Sequence, residues 1–311
     1  MNWKQTLFWS FSAAAIFYYF LLFGVFVFVG QEEMQLFIPE WWYIREFLFQ
    51  PGGFCAVAGQ WIIQYYRQPM SAVVFHTVLL VGCGFMVYRI LRCFSDKTYL
   101  LFLSLLPVLY LVKMSIHGEY LVDGTVGVVL MLLALSVSLK VRRAGSIAGY
   151  GIASTLFLCG LTGLLSVCYA FLYTLLALLR YKTSRQRLAA SACLIPALFI
   201  YLFSGWLGIP VPLSDGWMPE AYLEIQRLPH YYMYRVWTFF TLSIVGVALF
   251  ARFVPVIGEK SKWMDRVALV VCLITVLVSI RFCLPEPWHA QRMMLDELSF
   301  LARERQWDAI I

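Results

Sequence analysis

Charge is scarce in this sequence: Asp, Glu, Lys and Arg make up 13% of its 311 residues, against 62% hydrophobic ones. Ordinary soluble domains carry about 25% charge, so a water-soluble fold is excluded. Histidine is also rare, with 4 copies, and the absence of an H-E-x-x-H pair removes the usual helix-borne zinc hydrolase. The 8 cysteines show no C-x-x-C spacing, which argues against a zinc ribbon or a dithiol redox motif. No nucleophile elbow is present. What the chain has instead is a series of uncharged runs near or above the roughly 20 apolar residues needed to cross a bilayer. The fold class expected is all-α, a polytopic helical membrane protein.

Residues 5–31 carry no charge and follow Lys4, the pattern of a first span with its N-terminus in the cytoplasm. The run is longer than a signal core and lacks a small-x-small site, so it is expected to stay attached. Further spans fall at 71–88, 99–118, 120–139, 188–206, 236–251 and 267–284. The stretch 144–179 is basic at both ends, with Arg142 and Arg143 before it and Arg180 and Lys182 after. As one helix it would be about 54 Å long at 1.5 Å per residue, too long for a hydrocarbon core of roughly 30 Å. It is expected to be a hairpin hinged near Gly160 to Gly163. The total is nine crossings, N-in and C-out. The cytoplasmic segments then hold 15 of the 24 Lys and Arg but only three acids, Asp96, Glu259 and Asp265. That asymmetry makes the net charge of +7 a topology signal and not a nucleic-acid footprint.

Residues 1–284 thus form a transmembrane module with outer loops at 31–70 and 207–235. The first loop divides into two short amphipathic helices at Pro51, Gly52 and Gly53, with Trp41, Trp42, Tyr43, Phe47, Phe49, Trp61, Tyr65 and Tyr66 expected at the headgroup level. The cysteines lie nearly all in apolar runs and read as small core residues; only Cys55 and Cys283 fall on the outer side, and nothing in the sequence supports a bridge between them. The tail, 285–311, carries Met294, Leu298, Leu301 and Ala302 on one helical stripe. It resembles the opening of a tetratricopeptide-like hairpin outside the membrane, leading toward a longer repeat domain.

The chemistry-bearing stretch is LVKMSIHGEYLVDGT. The uncharged runs beside it, 99–112 and 124–139, are each too short to cross alone. Extending both helices toward each other brings Lys113, His117, Glu119 and Asp123 to the outer boundary, where a charge is costly unless it faces protein or a wet cavity. On continuous helices Lys113 and His117 would share one face, and Glu119 and Asp123 another. Glu32 and Glu33 leave the first span at the same depth, and His76, His230 and His289 lie on the same side. Acids and histidines together supply the groups of a general base or a divalent-metal site.

Two resemblances follow from these segments. QEEMQLF after the first span, FLFQPGGFCAVAGQWIIQYYRQPMSAVVF beyond it and the tail DELSFLARERQWDAII resemble a family of bacterial inner-membrane proteins of unknown function that join a multi-span module to extracytoplasmic helical repeats. The wider plan resembles the GT-C type glycosyltransferases, although no Asp-x-Asp pair is present. That resemblance implies a polyprenyl-phosphate-linked donor drawn from membrane lipid, with Glu32 or Glu33 as the acid of the first outer loop. His117, Glu119 and Asp123 would complete the catalytic group. Lys113 or Arg45 would hold the donor phosphate beside Trp41 and Trp42. The competing reading is a non-enzymatic tether in the inner membrane that presents the tail to a protein partner for envelope assembly or secretion. A transporter is disfavoured, because no charged residue lies near the midplane of any span.

Overall fold

Apolar helices satisfy their own backbone groups internally, and among its described residues this chain is built of helices alone. The structure is a computed structural model, and it describes residues 3–34, 37–116, 120, 122–203, 240–250, 252, 269–270, 273–277 and 279–281. The elements are α1 (Trp3–Phe23), α2 (Val25–Met34), α3 (Trp41–Leu48), α4 (Gly53–Ile63), a 3-10 turn (Gln64–Arg67), α5 (Pro69–Leu91), α6 (Leu100–Leu103) and α7 (Leu105–Ser115). They continue as α8 (Val122–Ser138), α9 (Ala144–Thr162), α10 (Leu165–Arg180), α11 (Ser184–Ser191) and α12 (Leu194–Leu202). A helical stretch, Phe240–Phe250, follows. The 207–235 loop and the 285–311 tail, on which the tether reading rests, lie outside the described residues.

Three of the described helices, α1, α5 and α9, are long and apolar enough to cross a membrane. Others are shorter than the sequence suggests, and proline is the reason in two cases. Pro107 stands third in α7 and has no N–H to give the Leu103 carbonyl, so the expected 99–118 span breaks at Ser104. Pro196 stands third in α12 and breaks the 188–206 span at Ala192 and Cys193 in the same way. The first span is interrupted at Gly24, yet Gly24 N–H bonds Phe20 O and Phe28 N–H bonds Gly24 O, so the helical ladder continues across it.

α1 buries Trp9, Ser12, Ile16 and Phe20 on one stripe and exposes Leu7, Phe11, Tyr18 and Leu22 on the rest of its surface. Such a stripe costs free energy in water and none in hydrocarbon. Polar groups inside the bundle are returned to the backbone: Ser115 Oγ donates to Leu111 O, Thr155 Oγ1 to Gly151 O and Thr174 Oγ1 to Ala170 O. The six described cysteines are all unbridged. Cys55 is fully buried, and Cys283 lies outside the described residues.

The hairpin turns at Gly163, which has φ 61°, between α9 and α10. Its two ends meet again at the opposite pole, where Tyr181 Oη donates to Val141 O at 2.7 Å and Gln186 Nε2 to Arg142 O at 2.7 Å. Arg180 Nη1 reaches Cys93 O there at 3.4 Å. Three basic segments, 89–98, 140–143 and 180–187, therefore share one end of the bundle. At the other end Gly52 N–H bonds Gly160 O at 3.1 Å, tying the first loop to the hinge of the hairpin.

The first loop departs from an all-interfacial layer. α3 exposes Trp41, Trp42 and Phe49 beyond it, as an amphipathic helix at a boundary does, but α4 is wedged against α8 and α9. Tyr66, expected at the headgroup level, is fully buried. α4 is apolar on all sides and carries small residues where it meets its neighbours, so it enters the bundle. The closest approach is at Gly59, where a Cβ would stand 2.6 Å from Asp123 Cβ and 3.0 Å from its backbone. Gly59→Leu is expected to cost about 1–3 kcal/mol by overpacking and to lower the melting temperature of the detergent-purified protein. Gly149→Ala, which meets nothing within 4 Å, is expected to leave it unchanged or raise it.

Candidate functional site

The end of the bundle that carries α3 and α4 holds two polar arrangements, one open and one enclosed. The open one is a groove of about 550 Å³ lined by Trp41, Trp42, Arg45, Glu46 and Phe49. Positions 41, 42, 45, 46 and 49 repeat at helical spacing, so one face of α3 and the residue after it supply the whole wall. Arg45 Cζ lies 5.7 Å from the Phe49 ring centroid, which holds the guanidinium by a cation–π contact. The indoles of Trp41 and Trp42 are 66% and 61% exposed. α3 is fastened to α4 by Tyr43 Oη donating to Gln60 Oε1 at 3.0 Å. Burial pushes the Tyr43 phenol up from its ordinary pKa, the hydrogen bond with Gln60 opposing this and the nearby Glu46 adding to it.

The enclosed arrangement lies beneath α4. Asp123 opens α8, is 1% exposed, and accepts the Gly124 N–H on Oδ1 at 2.8 Å. Its Oδ2 is buried with no hydrogen-bond partner. Gln31, fully buried in α2, donates from Nε2 to the Tyr120 carbonyl at 2.8 Å and leaves Oε1 without a partner. Tyr66 Oη and His76 Nε2 share a 2.7 Å hydrogen bond, and Phe28 stacks on the His76 ring at 4.1 Å between centroids. Burial, with a smaller contribution from the Asp123 carboxylate, keeps the Tyr66 phenol protonated well above its ordinary range. His76 Nδ1 is the third buried atom here that has no partner. Polar groups this deep in an apolar bundle are costly, and they mark where α2, α4, α5 and α8 are held in register.

The sequence-derived residues divide between these places. Trp41, Trp42 and Arg45 come together in the groove. Asp123 lies under α4 and does not line that groove. Glu32 is half-buried near the end of α2, and Lys113 is half-buried in the last turn of α7. α7 stops at Ser115, with Ile116 closing it, so the helix that would have aligned Lys113 with His117 ends before His117. The side chain of Glu33, and the whole of His117 and Glu119, lie outside the described residues. Among the described residues no group of three or more His, Cys, Asp or Glu is placed to hold a metal.

Sequence reasoning missed Glu46 as a groove residue and Gln31, Gln60 and Tyr66 as buried partners. The signal for the glutamines was available, since an uncharged polar side chain inside an apolar run must find a partner. Tyr66→Phe removes the hydroxyl from a buried pair and is expected to destabilise the protein by about 1–3 kcal/mol, read as a lower melting temperature. Asp123→Asn keeps the acceptor for Gly124 and adds a donor on the unpartnered side, and it is expected to be neutral or stabilising in the same assay.

No curated protein and no solved structure matches this chain. A family model described as a family of unknown function, DUF6057, matches residues 1–311. The chain belongs to the DUF6057 family.

Proposed function

We propose that this protein is a multi-pass protein of the bacterial inner membrane, with nine crossings, its N-terminus inside and its C-terminus outside, that acts as a GT-C-like transferase on a lipid-linked donor at the outer leaflet. The groove on α3 carries this reading. It offers one guanidinium, whose planar fork suits phosphate, between exposed aromatic rings of the kind favoured at headgroup depth. The separation of the basic segments from α3 supports the orientation, since positive charge favours the cytoplasmic side.

In this reading the polyprenyl chain lies in the bilayer beside Trp41 and Trp42, and Arg45 takes the donor phosphate. The acceptor hydroxyl oxygen bonds to the anomeric carbon of the sugar. The bond from that carbon to the phosphate oxygen breaks, and its electron pair leaves on the phosphate, whose charge Arg45 balances. The hydroxyl proton passes to a carboxylate. The resemblance to GT-C enzymes gives that role to Glu32 or Glu33, while the groove itself contains Glu46, which is therefore the base favoured here. Asp123 acts as a positioning residue that seats α4 and, through it, α3.

The test uses the full chain in lipid nanodiscs, with polyprenyl phosphate and the uncharged polyprenol as probes. Retention of the phosphate over the alcohol is expected. Arg45→Gln should weaken it on the order of tenfold or more, the worth of one charge-assisted hydrogen bond. Glu46→Gln should keep binding of polyprenyl phosphate and, with a polyprenyl-phosphate-linked sugar supplied as donor, lose transfer to an added acceptor hydroxyl. Equal retention of the two lipids, or full retention by Arg45→Gln, would overturn the proposal.

A further inference from the structure

At the opposite end from α3, the ends of α10 and α11 form a second groove of about 550 Å³, lined by Leu178, Ser184, Arg185, Arg187, Leu188 and Ser191. We infer that this groove is a headgroup site for an anionic phospholipid of the cytoplasmic leaflet. The leaflet follows from the orientation proposed above; the site itself stands on its own residues.

The groove is built as a track with a charged mouth. Ser184, Leu188 and Ser191 recur at spacings of four and three, so they line one face of α11. Leu188 is 76% exposed, and Leu178 stands beside it on α10 at 44%. Two bare leucines flanked by arginines are poorly suited to water and well suited to an acyl chain beneath a phosphate. Arg187 is held in place, with Nε donating to Tyr181 O at 2.9 Å. α11 is fixed at its start by Thr183, whose Oγ1 accepts the Gln186 N–H, and along its flank by Gln186 Nε2 on Arg142 O. The guanidinium of Arg187 is thus held by the fold, and Arg185 is carried into the groove lining by the helix fixed beneath it.

Charge complementarity selects the occupant. No Asp or Glu occurs anywhere between Asp123 and Asp215, whereas Lys140, Arg142, Arg143, Arg180, Lys182, Arg185 and Arg187 all fall in that interval. The groove itself is lined by two arginines and no carboxylate, and Asp96, the described acid at this end, is engaged by Arg92, so the groove favours an anion over the choline of a zwitterionic lipid. Each basic side chain near an anionic surface contributes on the order of fivefold in affinity.

The experiment is native mass spectrometry of the detergent-purified full chain titrated with phosphatidylglycerol or phosphatidylcholine. One phosphatidylglycerol is expected to be retained at activation energies that strip phosphatidylcholine. Arg185→Gln with Arg187→Gln should weaken that retention by about twentyfold, with an unchanged elution profile and circular dichroism spectrum. Arg89→Gln with Arg92→Gln, an equal loss of charge on another basic turn, should not change it. Leu188→Ser, which keeps both arginines, should shorten retention by removing the chain contact. Inorganic phosphate at millimolar concentration should fail to displace the lipid. Equal retention of the two lipids, an equal effect of the two double variants, or displacement by free phosphate would overturn the inference. The polyprenyl phosphate assay with Arg45→Gln reads the other end of the bundle, so failure of one proposal is distinguishable from failure of the other.

Discussion

The end of this bundle that carries α3 depends on one contact, the seating of α4 on the first turn of α8 at Gly59 and Asp123. The two backbones approach so closely that a single added carbon would collide. Nothing larger than hydrogen at position 59 lets α4 sink to this depth. Because α4 is sunk, Tyr66 is carried into the bundle to meet His76, and Gln60 is in place to accept the Tyr43 hydroxyl. α3 is then left on the surface with its aromatic face outward. The groove that contains Arg45 is a consequence of this seating.

The interior obeys the rule that an apolar solvent enforces. A hydroxyl in hydrocarbon gains more from a nearby carbonyl than from remaining unpaired, and most of the buried Ser and Thr residues spend their proton on the turn before them. The longer polar side chains instead cross between helices. Ser138 and Tyr169 pair across α8 and α10 at 2.7 Å, and Gln5 reaches Tyr88 from α1 to α5 at 2.8 Å. Charge is kept to the ends. Among the described residues the ion pair at the basic end, Arg92 with Asp96, is exposed and adds little stability.

Much of this plan is legible in the sequence, for identifiable reasons. The hinge at Gly163 could be read because basic residues at both ends of 144–179 demand the same side and glycines mark the turn. The division of the first loop could be read from Pro51, Gly52 and Gly53, since Gly52 adopts φ 84° and Gly53 sits where a Cβ would strike the Phe47 carbonyl. The depth of α4 could not, because an apolar helix of 11 residues suits an interface and an interior equally well. The close approach at Gly59 is a tertiary fact that no local pattern encodes. The interruptions near Ser104 and Ala192 follow from Pro107 and Pro196, whose effect on the preceding carbonyl was open to inspection but was outweighed by hydropathy. The site was legible in composition and not in assembly: Arg45, Trp41 and Trp42 share a groove, while Asp123 serves the contact that supports it.

The sidedness of the two grooves is tested most directly by labelling with a membrane-impermeant maleimide. Single cysteines at Trp42→Cys and Ser184→Cys would be placed in a chain whose native cysteines are replaced by alanine. In intact spheroplasts Trp42→Cys is expected to label fully, and Ser184→Cys only after the membrane is opened. Labelling of Ser184→Cys from outside, or of both positions from the same side, would contradict a bundle that turns α3 to the outer leaflet and its basic end to the cytoplasm.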